Sequence, residues 1–208
     1  MSLKPFQLFE IPFYHKLAKL IYGSNFHQLQ GELINNLKGK NILVIGPGNG
    51  DFLQYLDTKI KYTFIEKSKT FSLQLQKKID ESIGINSELI FGDFLKINIQ
   101  KKFDAVVCPF FLDLLNPTEM KLVSEKFEYL LNPIGQILIL DFKKPETFIE
   151  KIHMKFLYFI FRRTDGISGN EILEFESQNF KELKRMVYKK SWFYKLEAKV
   201  YARNTSKA

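Results

Sequence analysis

The stretch Asn41-Ile42-Leu43-Val44-Ile45-Gly46-Pro47-Gly48-Asn49-Gly50, followed by Asp51-Phe52-Leu53-Gln54-Tyr55-Leu56, decides how this chain is read. Four branched apolar residues in a row, entered from Gly39-Lys40, are too few for a helix and predict a strand buried on both faces. A glycine loop ends that strand. Beyond Gly50, the residues Phe52, Leu53, Tyr55 and Leu56 recur at helical spacing, so the loop is expected to lead into the N-terminus of a helix. With no side chains at Gly46, Gly48 and Gly50, a flat polar ligand can lie against the backbone and take hydrogen bonds from helix N–H groups.

The spacing of the glycines narrows the ligand. Dinucleotide loops read G-x-G-x-x-G, whereas here the third glycine comes one residue early, which disfavours hydride chemistry with NAD. The stretch resembles the first motif of the class I S-adenosylmethionine (SAM) dependent methyltransferases, whose loop cradles the methionine part of SAM. The resemblance implies cofactor contacts at Gly46, Pro47, Gly48, Asn49 and Gly50, with S-adenosylhomocysteine (SAH) as product. One departure is plain: the family usually carries an acid two residues before the first glycine, and Val44 stands there.

Two later strand ends extend the resemblance. Tyr62-Thr63-Phe64-Ile65-Glu66 is a run of strong β-formers ending in an acid. A carboxylate offers only acceptor sites and can accept from both cis hydroxyls of a ribose, the role implied for Glu66, with Lys67 beside it. A helix over 68–82, with Phe71, Leu75 and Ile79 at four-residue spacing, leads to the strand Glu88-Leu89-Ile90-Phe91 and the turn Gly92-Asp93-Phe94. There the resemblance implies that Asp93 accepts from the adenine amino group and that the Phe94 backbone N–H meets the ring.

Strand four, Phe103 to Cys108, runs into Pro109-Phe110-Phe111-Leu112-Asp113. By the resemblance Cys108 and Pro109 border SAM, while Phe110, Phe111 and Asp113 face the acceptor. Base-methylating relatives often carry Asn/Asp-Pro-Pro-Tyr/Phe at this point; Cys108-Pro109-Phe110-Phe111 lacks the amide, which counts against nucleic-acid base methylation. Cys108 itself reads as a small buried residue rather than a nucleophile. Asn116-Pro117-Thr118-Glu119 is a helix start with a capping Asn, Pro at the first position and Glu at the third. That helix is expected to reach Leu131, with Asn132-Pro133-Ile134-Gly135 as the turn into strand five, Gln136 to Asp141.

The flanks complete the plan. Residues 6–37 read as amphipathic helices broken near Gly23-Ser24-Asn25, and in the resemblance they cover the pocket with Tyr14 and Tyr22 as pocket candidates. From Pro145 to Arg163 a helical pattern is apolar on nearly every side, which fits a buried or lipid-facing substrate region with Arg162 available to an anionic group. A further helix is expected around 170–182. The period-two pattern of Trp192, Tyr194, Leu196, Ala198, Val200 and Ala202 predicts an antiparallel strand with one polar side, paired as a hairpin with a strand near 185–190. The expected fold is α/β and Rossmann-like: a doubly wound, mostly parallel seven-stranded sheet finished by that hairpin. The whole chain, 1–208, reads as one domain: cover helices 1–38, SAM-binding core 39–142, variable helical region 143–183 and C-terminal strands 184–208.

Composition sets the outer bounds. A chain of this length buries roughly 70% of its extended surface as one domain, and 21 phenylalanines supply the core. A single cysteine excludes an internal disulfide and fits a cytoplasmic setting. Lys4, Pro5, Glu10 and Pro12 stand where a secretory leader would need an apolar run, and Phe156 to Phe161 is too short to span a bilayer. The net charge of +8 raises RNA as a partner, but the lysines are interleaved with acids, so nucleic acid is disfavoured against a small-molecule substrate.

Three histidines, His15, His27 and His153, show no metal-ligand spacing, and no metal is expected. Methyl transfer asks little of side chains, and a general base helps only where the acceptor carries a proton; Asp113 and His153 are the candidates. The expected activity is SAM-dependent methyl transfer to a small acceptor, with an apolar or lipid-like molecule as one option. The competing readings are an RNA methyltransferase and a non-catalytic SAM-binding module; the acceptor and the oligomeric state are not legible.

Overall fold

The computed structural model describes residues 25–155, 174–189 and 195–204. Five parallel strands form its centre: β1 (Asn41–Ile45), β2 (Lys61–Glu66), β3 (Asn86–Phe91), β4 (Phe103–Pro109) and β5 (Leu131–Phe142). Two more, β6 (Phe180–Lys189) and β7 (Lys195–Arg203), close one edge, with β7 antiparallel to both β5 and β6. The seven strands lie in the order β3-β2-β1-β4-β5-β7-β6. The expected fold is the observed one. Strand order reverses between β1 and β4, which opens a crevice outside their carboxyl ends, where ligands of open α/β sheets bind.

The apolar runs do what their composition dictates. Ile42, Leu43 and Val44 are fully buried, and alternate residues of β1 serve opposite cores: Ile42 and Val44 on one face, Leu43 and Ile45 on the other. The first face is covered by α1 (Phe26–Asn35) and α2 (Lys69–Glu81), the second by α3 (Pro117–Leu130). Ser68 caps α2 through the Phe71 nitrogen, and Asn116 with Glu119 forms a reciprocal capping box on α3, as the sequence predicts. Residues 148–155 form α4, which buries Met154 in the first core.

Four expectations are corrected. No α-helix follows the glycine loop: a single 3-10 turn, Leu53–Tyr55, stands there, and Leu56 returns to extended backbone. Asn35 of α1 takes over the backbone groups that another helical turn would use, donating to the Tyr55 carbonyl (2.8 Å) and accepting from Asp57 N–H (3.0 Å). Second, α3 ends at Leu130 and β5 begins at once, with Leu131 opposite Phe103 and Gln136 opposite Ala105, so residues 132–135 bulge out of a strand already begun. Third, of the helix expected around 170–182, the described residues 174–179 are not helical and β6 starts at Phe180. Fourth, the polar side of β7 is not solvated at its centre: Glu197 and Lys199 are buried along with Leu196 and Ala198. Phe175 joins the second core that β5 and β7 also serve, so that face of β7 is not left to water.

Candidate functional site: the carboxyl edge of the parallel sheet

Three predicted contact regions meet at the carboxyl ends of β1, β2 and β3. Gly46, Gly48 and Gly50 all have positive φ (69°, 61° and 73°), a backbone that only glycine adopts without strain. Gly46 N–H donates to the Ile65 carbonyl at 2.9 Å, which ties the loop to β2. The Glu66 side chain continues the tie: its Oε2 accepts from Gly48 N–H at 3.0 Å and its Oε1 from Ser68 N–H at 2.7 Å. Next in line, Gly92 N–H donates to the Glu66 carbonyl at 2.9 Å, and Lys67 Nζ pairs with Asp93 Oδ2 at 3.1 Å. Glycine loop, Glu66 and Asp93 therefore form one continuous edge.

The three glycines have different jobs. A Cβ on Gly48 would meet nothing within 4 Å, so the loop presents bare backbone to open space there. A Cβ on Gly50 would stand 2.5 Å from Leu75 Cδ1, so this glycine lets α2 pack against the loop. Behind them, Asp51 gathers Lys78 of α2, Asn49 (2.9 Å) and His27 of α1 (3.6 Å). Burial alone would raise the Asp51 carboxyl, but Lys78 and Asn49 outweigh it and hold it below the ordinary range. Asp93 behaves likewise: Lys67 and the Leu95 N–H overcome its burial.

Val44, where the resemblance calls for an acid, is fully buried in the first core, between Phe64 and Val107. A carboxylate there would lose its water with no described polar partner in that layer. Glu66 holds the loop in its stead.

The loop after β4 divides its residues between the two faces. Phe110 takes φ 51°, a strained backbone for a non-glycine residue, while its N–H donates to the Leu140 carbonyl at 2.8 Å. Its ring packs edge-on against Phe26 (5.4 Å) and Phe142 (5.1 Å), on the first face. Phe111 turns the other way, onto Phe94 at 6.0 Å, and its Cβ lies beneath Gly46. The Phe94 ring is itself buried in the second core. Pro109 is buried at the end of β4, and Cys108 is fully buried, its thiol pushed up by burial and then by Asp141. That thiol stays protonated.

Asp113 is buried in a 3-10 turn and does not stand alone, which the sequence reading missed. Its N–H donates to Asp141 Oδ2 at 3.2 Å, and the two carboxyl groups hydrogen-bond each other. Burial pushes Asp113 up to about 7, and burial together with the Asp113 charge raises Asp141. Two adjacent buried carboxyls cannot both ionise cheaply, so they share a proton. Asp141 faces Glu197 across the β5–β7 ladder, and Glu197 Oε1 pairs with Lys199 Nζ at 2.6 Å. The signal for Asp141 was in the sequence: like Glu66, it is an acid closing an apolar strand.

His153 makes its Nδ1 contact (2.9 Å) to the Ile149 carbonyl of its own helix. Tyr14, Tyr22 and Arg162 lie outside the described residues. Among the described residues no group of acids, histidines and cysteine is arranged to hold a metal ion, and no helix is long and apolar enough to cross a membrane.

No family model and no curated protein matches the sequence. Solved structures share its fold. Magnesium protoporphyrin IX methyltransferase (ChlM) from Synechocystis PCC 6803, solved with bound SAH, aligns over 93% of this chain and 95% of its own, with a TM-score of 0.65 at 16% identity. The chain has the class I methyltransferase fold. The N-methyltransferase NodS from Bradyrhizobium japonicum WM9, in complex with SAH, shares this methyltransferase fold over 99% of this chain and 94% of its own, with a TM-score of 0.60 at 15% identity. A SAM-dependent methyltransferase from Aquifex aeolicus covers 97% of this chain and 99% of its own, with a TM-score of 0.58 at 18% identity.

Proposed function

We propose that this protein is a SAM-dependent methyltransferase acting on a small molecule. The observation that carries the reading is the convergence of the open backbone at Gly48 with the Glu66 and Asp93 carboxylates on one edge. In this reading the loop Gly46, Pro47, Gly48, Asn49 and Gly50 lies against the methionine part of SAM. Glu66 accepts from the Gly48 and Ser68 N–H groups, and in this reading the same carboxylate, which offers acceptor sites alone, also accepts from the ribose hydroxyls. Lys67 holds Asp93, which accepts from the adenine amino group, and the Phe94 backbone N–H meets the ring. Cys108 and Pro109 border the cofactor, and Phe110 and Phe111 wall the acceptor side.

Bound SAM supplies a methyl group already activated by its sulfonium. The chain's own residues orient the acceptor and exclude water, and the aromatic pair at the end of β4 suits both tasks. Where the acceptor carries a proton, the Asp113–Asp141 pair, with Asp113 held near neutrality, is the group able to take it up. A cytoplasmic setting belongs to the same reading and rests on the single, buried Cys108.

Calorimetry with SAM and SAH on folded protein tests the proposal. Binding of both, followed by transfer of radiolabel into a metabolite extract, is the expected result. Failure of both ligands to bind overturns it. Binding without transfer leaves a non-catalytic module, and label found in RNA, with affinity falling steeply with salt, turns the reading to an RNA methyltransferase.

A further inference from the structure

On a chain of net charge +8, one buried group of side chains is locally acidic. Asp113, Asp141 and Glu197 meet at the carboxyl end of β5, where Lys199 supplies one positive charge and Arg185 and Glu174 stand at the margin. A cavity beside them has room for little more than one water-sized group; Asp141, Glu197, Lys199, Phe142 and Phe175 line it.

Glu197 makes this more than a cluster of acids. Its side chain is only 5% exposed, and Oε1 is taken by Lys199 at 2.6 Å. Oε2 is buried and makes no hydrogen bond among the described residues, its ion-pair partner Arg185 Nη1 standing off at 3.8 Å. A buried acceptor left without a donor is costly, and one beside a cavity indicates a donor that arrives from outside. The surroundings select that donor. It must be water-sized, and the shared negative charge of Asp113 and Asp141 together with Glu197 favours a cation. Phe142 and Phe175 add aromatic walls of the kind that attract ammonium groups. The Lys199 charge is balanced by Glu174 at 4.0 Å and the Arg185 charge by Glu182 at 2.8 Å, which leaves Glu197 and the Asp113–Asp141 pair in excess.

We propose that this cavity is a subsite for a primary ammonium head group, and that the methyl acceptor is therefore a small molecule bearing an amine. The inference rests on the methyltransferase reading for its second half. Position supports it: β4 alone separates β1 from β5, so Asp141 lies about two strand spacings, roughly 10 Å, from the strand that carries the glycine loop. A small acceptor spans that distance.

The test uses the full chain, with and without saturating SAH, titrated with propylammonium chloride, 1-propanol and propyltrimethylammonium chloride. The readouts are the NMR shifts of the Glu197 side-chain carboxyl and the Phe175 ring. The expected result is a saturable shift with propylammonium, at least about tenfold tighter than with either analogue, since one analogue lacks the charge and the other has too large a head. Glu197→Gln should abolish the Phe175 response; if that variant does not fold, the three-probe comparison on the native chain decides alone. Equal response to 1-propanol, or no saturable response to propylammonium, overturns the proposal and leaves the cavity to a buried water. The two readings fail separately: ammonium binding without SAH binding sinks the methyltransferase reading, and SAH binding without ammonium binding sinks the subsite.

Discussion

Glu66 Oε2 stands 3.0 Å from the backbone nitrogen of Gly48, so the residue that ends β2 holds the loop that ends β1. One side chain thus supports the backbone cradle and faces the ligand of the proposed function. Hydrogen bonds to a charged group contribute about 1.5–3 kcal/mol. Glu66→Gln keeps the size but replaces one carboxylate oxygen with a donor, so SAM affinity is expected to fall by roughly tenfold to a hundredfold. Calorimetry checks it; unchanged affinity removes Glu66 from the site.

Gly48 and Gly50 separate ligand contact from packing. Gly50→Ala places a methyl 2.5 Å from Leu75 Cδ1 on a backbone at φ 73°, and a loss of several kcal/mol of stability is expected, by overpacking of about 1–3 kcal/mol plus left-handed strain of about 1–2 kcal/mol. Gly48→Ala bears the strain alone, since no atom lies within 4 Å of its Cβ position. Its melting temperature should fall less than that of Gly50→Ala, while SAM binding is lost. Denaturant unfolding and calorimetry on the two variants distinguish them.

The Asp113–Asp141 pair gives stability a pH dependence of unusual sign. Asp113 is about 7 in the folded chain against an ordinary 3.8, so between those values the folded state holds more protons than the unfolded one. The Asp113 contribution to stability is fully present below pH 3.8, declines as pH rises, and is lost above about 7. Asp113→Asn removes the Asp113 titration and its charge beside Asp141, which burial alone then holds up. Urea midpoints at pH 5 and pH 7.5 (conditions of about those values suffice) should differ less in the variant than in the parent chain; an equal difference in both rejects the shared proton.

Asn35 is expected to hold the 3-10 turn that replaces a helix after the glycine loop. Asn35→Ala strips a donor from the Tyr55 carbonyl and an acceptor from Asp57 N–H, at a cost of about 1–3 kcal/mol. Hydrogen exchange of the Asp57 amide should accelerate well beyond that of β1. Were the segment to gain helicity instead, the account given for the missing helix would be wrong.

Local patterns carried most of the architecture. The run Ile42 to Ile45, the acid at Glu66, the cap at Asn116 and the alternation of β7 each declare their element over a few neighbouring residues. The errors fell where distant groups intervened. Phe52, Leu53, Tyr55 and Leu56 have helical spacing, yet Asn35 claims their turn's backbone partners from across the chain. Glu197 and Lys199 alternate like a solvated face, yet that face of the sheet is covered.

By itself the sequence determined the strand order's raw material, the glycine loop and the acids at strand ends, because these depend on side-chain periodicity and on backbone angles set residue by residue. Only the tertiary structure decided that Glu66 braces Gly48, that Val44 belongs to the core, and that Asp113 shares its proton with Asp141. Burial and the approach of two charges are properties of neighbours brought together from far along the chain, and no local pattern encodes them.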